Sequence, residues 1–260
     1  MLFMAFQLYS VIHGNFSTIL IFPSHVSKYI SPLPDNVEHL TELYELLLDR
    51  FRAPNAAPGL MWISHFNIVR ANGVDCRGIV KIKSGPVGCQ RWPHTEADLK
   101  CAIRHVSSLF LHRKICVVCM HYSRNGTSQF PSGRCVLLGL AFLHEHQFSH
   151  NDVAWRNVLL AEPRTPLHPP SYMLIDLDNA TQIGSQLASD RVSHSLRRAG
   201  YDRLNSASDL HRVAALMDLD DVPLCPEAQE LQALLKGATR GTNLFERTAR
   251  SLLQHPWLLD

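Results

Sequence analysis

Apolar positions along this chain recur at helical spacing in some stretches and alternate or run together in others. Val37, Leu40, Leu43, Tyr44, Leu47, Leu48 and Phe51 share one helical face. Asp35 or Asn36 can cap the start of that helix, and Pro54 and Pro58 end it. Residues 60–83 read as strands: 66–71 leads into a turn at Asn72-Gly73, and 78–83 alternates like a half-buried strand. Thr95 caps a predicted helix over 96–106, and 114–122 is strand-like. From residue 134 the pattern changes. A strongly apolar helix over 134–147 precedes short strands at 157–160 and 172–177, which flank a proline-rich loop. Further helices are expected at 206–217, from Pro226 to a stop at Gly237, and at 243–253.

Residues 1–22 contain no Lys, Arg, Asp or Glu, and length alone would allow a membrane span. Gln7, Ser10, His13, Asn15, Ser17 and Thr18 interrupt the stretch, and the basic start and cleavage site of a signal peptide are missing. The expectation is a pair of buried strands turning at His13-Gly14-Asn15, with no membrane partner.

Composition narrows the class further. The chain has 260 residues, enough for one large domain or two lobes. At 46% apolar and 18% charged residues it is neither collagen-like nor disordered. Twenty-five basic against 23 acidic residues give no argument for nucleic acid or an anionic surface as partner. Seven irregularly spaced cysteines point away from a disulfide framework and toward a reducing, intracellular, cytoplasmic setting. Cys116, Cys119 and His121 have the look of metal ligands, but no second pair stands at finger spacing, and a buried strand is the plainer reading.

The stretch that carries chemistry is His150-Asn-Asp-Val-Ala-Trp-Arg-Asn157, with Leu174-Ile-Asp-Leu-Asp178 after it. Phosphoryl transfer needs a carboxylate to orient the attacking hydroxyl and hard oxygen ligands for Mg²⁺. Asp152 and Asn157 share one loop, and a hairpin of the two short strands would bring Asp176 to the same end. These residues resemble the catalytic loop of protein kinases, H-R-D-x-x-x-x-N, in its tyrosine-kinase-like form H-R-D-L-A-A-R-N. The order of further motifs agrees. Leu140-Ala-Phe-Leu-His144 resembles the L-A-Y-L-H that precedes the loop, and Asp176-Leu-Asp178 stands in the place of D-F-G. Ser208-Asp-Leu-His-Arg-Val213 is similar to the opening of the central helix of the large lobe, and Leu252-Leu-Gln-His-Pro-Trp257 to the L-L-x-H-P-W that closes many kinase domains.

The resemblance implies an α+β, bilobal kinase-like fold with a small, mostly β N-lobe and a larger, mostly α C-lobe. The implied division is an N-terminal extension at 1–56, a divergent N-lobe at 57–122 and a C-lobe at 123–260. It implies ATP and Mg²⁺ as cofactors and a hydroxyl on a protein as acceptor. Asp152 would be the catalytic base, Asn157 and Asp176 the metal-holding residues, and Leu159 the residue under the nucleotide base. His150 and Leu177 would belong to the hydrophobic column of the fold, and Asp209 would anchor the catalytic loop. Val80-Lys-Ile-Lys83 fits V-A-I-K with Lys83 as the phosphate lysine. Lys81, on the same strand face, is its rival, and Glu96 is the carboxylate that would pair with it.

Departures keep two other readings open. No G-x-G-x-x-G precedes residue 133, no A-P-E follows, Asn151 replaces the arginine of H-R-D, and Asp178 replaces the glycine of D-F-G. A pseudokinase that binds or scaffolds would need none of the missing parts. A small-molecule kinase of the same superfamily would fit Asp178 and the absent peptide platform.

Overall fold

The computed structural model describes residues 10–13, 17–31, 37–52, 61–70, 78–85, 88–89, 92–103, 136–161, 171–185, 206–237 and 248–259. The architecture is α+β, and the chain divides into two compact units. One comprises Met1–Ala57 and Met61–Cys89; the other comprises Pro58–Leu60 and Gln90–Asp260.

The first unit is a five-stranded antiparallel sheet in the order β1-β2-β3-β5-β4, followed by a two-residue strand β6 (Gly88–Cys89). Its strands are β1 (Ser10–His13), β2 (Ser17–Ile21), β3 (Val26–Ile30), β4 (Trp62–Arg70) and β5 (Gly78–Gly85). Helix α1 (Val37–Arg52) lies between β3 and β4 in sequence and packs on β4. Its stripe Leu40, Leu43, Tyr44 and Leu47 is buried, and Tyr44 meets Phe66 with ring centroids 5.0 Å apart. Phe66 stands opposite Ile82, and Ile82 opposite Lys28, so α1 covers the sheet face that also carries Val80 and Ile30.

Two features differ from the sequence reading. The hairpin of β1 and β2 forms, but β1 is exposed, with Val11 at 42% and Ile12 at 49%. It is the edge strand of the sheet, where one side has no neighbouring strand. Strand β3 had no counterpart in the pattern of apolar positions, because Lys28 sits in its centre. Pairing of β3 with β5 joins residues 26–30 and 78–85 in one sheet, across the boundary drawn at 56/57. The boundary drawn at 122/123 and the strand expected at 114–122 lie outside the described residues, as do the caps Asp35 and Asn36.

The second unit is built on α3 (Val136–Glu145), which is apolar around its circumference and buried as such a helix must be. Around it pack α2 (Glu96–Ile103), α4 (Ser206–Leu216) and α6 (Ala249–Leu252). Helix α5 (Pro226–Leu235) packs on α4, and α7 (Pro256–Leu259) packs on α5. Thr95 caps α2, accepting from the Asp98 N–H at 3.0 Å. Strands β8 (Val158–Ala161) and β9 (Ser171–Leu174) form an antiparallel hairpin, and β7 (Phe148–Ser149) pairs with β10 (Thr181–Gln182). The helix expected at 243–253 is described as α6 over Ala249–Leu252, and residues 243–247 lie outside the described ones. Among the described residues no helix is long and apolar enough to cross a membrane.

The buried stripe of α1 sets the cost of disturbing the first unit. Leu43 is fully buried, so Leu43→Ala removes its transfer energy and leaves a cavity. The expected loss is about 2–5 kcal/mol, read by urea unfolding. A loss below about 1 kcal/mol would show that α1 is not seated on the sheet as described.

Candidate active site

The loop between β7 and β8 is positioned by a carboxylate that reaches it from α4. Asp209 is fully buried. Its Oδ2 accepts from the His150 backbone N–H at 2.7 Å, and its Oδ1 accepts from the Asn151 N–H at 2.9 Å. His144 Nε2, on α3, donates to the same Oδ2 at 3.1 Å. Burial alone would raise the Asp209 pKa; the hydrogen bond and charge of His144, then the charge and N–H of His150, outweigh it and hold the group below its ordinary value.

His150 is also fully buried and joins the loop to the hairpin. Its Nε2 lies 3.0 Å from the Ile175 carbonyl, and its Nδ1 lies 3.2 Å from the Asp152 N–H. A neutral ring that donates through Nε2 and accepts through Nδ1 satisfies both partners. Burial lowers the His150 pKa, against the opposing pull of Asp209, the Ile175 carbonyl, Asp152 and Asp176, and this favours the same neutral form.

Asn151 completes the frame. Its backbone is left-handed, with φ of 64°, a conformation Asn tolerates better than most residues. Its Nδ2 donates to the Asn179 carbonyl at 2.8 Å and to Thr181 Oγ1 at 3.0 Å. The loop is thereby tied to the segment that follows Asp176.

Asp152 and Asn157 meet directly. The Asn157 Nδ2 donates to Asp152 Oδ2 at 2.9 Å and to the Asp152 carbonyl at 2.8 Å. With the amide nitrogen committed, the Asn157 side-chain oxygen, Oδ1, is the atom left for a cation. Asn157 is held by the short 3₁₀ turn Trp155–Asn157, where its N–H donates to the Ala154 carbonyl at 2.8 Å. Trp155 anchors that turn through its indole N–H, 3.0 Å from the Leu216 carbonyl.

The β8–β9 hairpin brings Asp176 to the same end. Val158 faces Leu174, and the Ile175 N–H donates to the Asn157 carbonyl at 2.9 Å. Strand β9 ends at Leu174 and not at 177 as the pattern suggested. Asp176 takes a left-handed conformation, with φ of 63°, which breaks the extended run before Leu177. Asp176 is half-buried and Leu177 fully buried. Leu159 is half-buried on β8, opposite Met173.

The donor set of Asn157 and Asp176 is one amide oxygen and one carboxylate, both hard. That chemistry suits Mg²⁺, which retains waters and uses few protein carboxylates. Among the described residues no three His, Cys, Asp or Glu side chains gather as an all-protein metal cage.

The residues expected in the front half fall in different units. Lys81 and Lys83 lie on β5 opposite Tyr29 and Ser27, on the sheet face turned away from α1. The charge of Lys83, after burial, contributes to the lowered pKa of His25. Glu96 belongs to the second unit, where its Oε1 accepts from the Trp257 indole N–H at 2.8 Å. Two cations, Lys28 and Arg212, escaped the sequence reading. Lys28 lies on β3, on the face covered by α1. Arg156 and Arg212 both pair with Asp152 Oδ1, Arg212 at 3.5 Å. Arg212 is three residues after Asp209, so helical spacing points both at the loop, a signal that was available in the sequence.

Removing the Asp209 charge is expected to destabilise the protein by about 2–3 kcal/mol in Asp209→Asn, because an amide cannot accept from all three donors. Urea unfolding measures it; an unchanged midpoint would refute the anchoring role. His150 sets a pH dependence. Its folded pKa lies below the ordinary 6.5, so its contribution is complete above pH 6.5 and is lost as pH falls through the folded value. Melting temperatures should decline on acidification below pH 6.5, and His150→Gln should flatten that part of the profile. No protein-family model matches this chain and no curated protein does, so its function has to be read from the geometry.

Proposed function

We propose that the chain is an ATP- and Mg²⁺-dependent phosphotransferase of protein-kinase type, acting on a hydroxyl of a protein. One observation carries the reading. A buried helix carboxylate, Asp209, grips two successive N–H groups of the loop that presents Asp152, while Asn157 and Asp176 collect at one end of a hairpin. Positioning of this kind is most of what a phosphoryl-transfer site contributes.

In this reading Asn157 and Asp176 would hold the cation, which would neutralise phosphate charge, and bound ATP would supply the phosphoryl group. Asp152 orients the acceptor hydroxyl and takes its proton. Arg156, Arg212 and Asn157 hold the carboxylate in place.

The first unit supports a kinase-like N-lobe with a revised lysine. A kinase carries its phosphate lysine on the third strand, after a hairpin and before a helix. Here β1 and β2 form a hairpin, β3 carries Lys28, and α1 follows. Lys28 therefore takes the role first given to Lys83, with Lys81 as rival. Glu96, bonded to Trp257, gives up the role of its partner carboxylate.

Label transfer from ATP to a generic protein acceptor tests the reading. The full chain with Mg²⁺ should transfer label, and Asp152→Asn should lose at least about 100-fold. Asp176→Asn and Lys28→Met should fail likewise, while Lys83→Met should retain activity. No transfer and no thermal shift with Mg²⁺–ATP would leave the scaffold reading. Label found only on a small hydroxylated metabolite would favour a small-molecule kinase.

A further inference from the structure

A hollow of about 320 Å³ opens in the second unit beside Asp152, lined by Trp92, Val153, Ala154, Trp155, Arg156, Arg212, Ala215 and Leu216. Its size is at the small end of ligand pockets, enough for a side chain or a compact molecule. Its walls combine two kinds of chemistry. Trp92, half-exposed at 49%, and the buried Trp155 stand 6.0 Å apart at 44°, and with Val153, Ala154 and Leu216 they offer an apolar, partly aromatic surface. Against this surface stand two guanidiniums.

Arg156 and Arg212 share a single carboxylate, Oδ1 of Asp152. The Oδ2 of that group is already engaged by Asn157. Arg212 is 15% exposed, and its Nε is buried with no hydrogen-bond partner. Among the described residues the two guanidiniums share one ion-paired carboxylate, with Asp209 adding a second negative charge near Arg212, and the 65% exposed Arg156 keeps N–H groups open to the hollow. Carboxylates and phosphates are the groups that guanidinium forks match.

We propose that this hollow is an acceptor subsite for an anionic hydroxyl compound: a carboxylate or phosphate seated on Arg156 and Arg212, an apolar or aromatic body against the tryptophans, and a hydroxyl toward Asp152. The proposal rests on the phosphotransferase reading for the fate of that hydroxyl, but the anion site itself does not. The shared chemistry has two sources, an acidic peptide segment bearing the hydroxyl or a small hydroxy acid.

The test uses the full chain and a matched pair of probes, 4-hydroxyphenylacetate and its neutral amide, with binding read from tryptophan fluorescence. The acid should bind at least tenfold more tightly than the amide. Arg212→Met should abolish that preference while Arg212→Lys retains part of it. Because Arg212 is largely buried, Arg156→Met serves as the second variant; its exposed side chain can be lost without disturbing folding, and it too should reduce the preference. Equal binding of acid and amide, or a preference untouched in both methionine variants, overturns the proposal. Label transfer separates the sources and the two levels of the argument. Faster labelling of an acidic tyrosine peptide than of its glutamine counterpart supports a peptide source; faster labelling of the hydroxy acid than of its amide supports a small one. Equal labelling of acidic and neutral acceptors refutes the subsite and leaves the phosphotransferase reading standing. Selective binding of the acid without any label transfer supports the anion site and removes the phosphotransferase reading.

Discussion

The fully buried carboxylate of Asp209 accepts one hydrogen bond from a histidine ring and two from successive backbone N–H groups, His150 and Asn151. Burying an unpaired charge would be prohibitively costly, so the three donors are a condition of the fold as well as a benefit to it. The two consecutive N–H groups converge on one carboxylate and so form a small anion cradle. Helix α4 and the loop are thus fastened to each other across a long stretch of chain. Asp152, the next residue, inherits its position from that fastening.

From this anchor the constraint spreads by direct contacts. The His150 ring carries it to the Ile175 carbonyl, one residue before Asp176, and the Asn151 amide carries it to Asn179 and Thr181. The Asn157 side chain closes the loop on Asp152, and the Asn157 backbone carbonyl receives the Ile175 N–H. The neutral amide of Asn151 ties the loop to the downstream segment directly. The left-handed conformations at Asn151 and Asp176 each cost about 1–2 kcal/mol, and they persist because the surrounding hydrogen bonds leave no alternative.

Much of this was legible along the chain. The α1 stripe, the alternation of β5, the all-round apolar α3 and the motif around Asp152 announce themselves because each is a local pattern with a local cause. Strand β3 did not, since a lysine interrupts its short apolar run. Its charge is tolerated because the strand is only half-buried, flanked by β2 and β5. The exposure of β1 was equally hidden, because an edge strand and a central strand can share one composition. Arg212 was overlooked although its spacing from Asp209 was readable, because a charged residue on a helix reads by default as solvated.

By itself the sequence determined most of the helical and extended segments, β3 excepted, and which residue types meet in the loop from His150 to Asn157. Period, capping and turn chemistry act over a few residues, so they are encoded where they are expressed. Tertiary structure alone decided which lysine faces α1. Strand order and register set the sheet face of every side chain, and both arise from pairings between segments far apart in the chain. It also decided that Asp209, His150 and Ile175 form one connected frame, and that two arginines crowd a single carboxylate beside an apolar hollow. Charge balance at such a point depends on three-dimensional neighbours, which a near-neutral composition does not reveal.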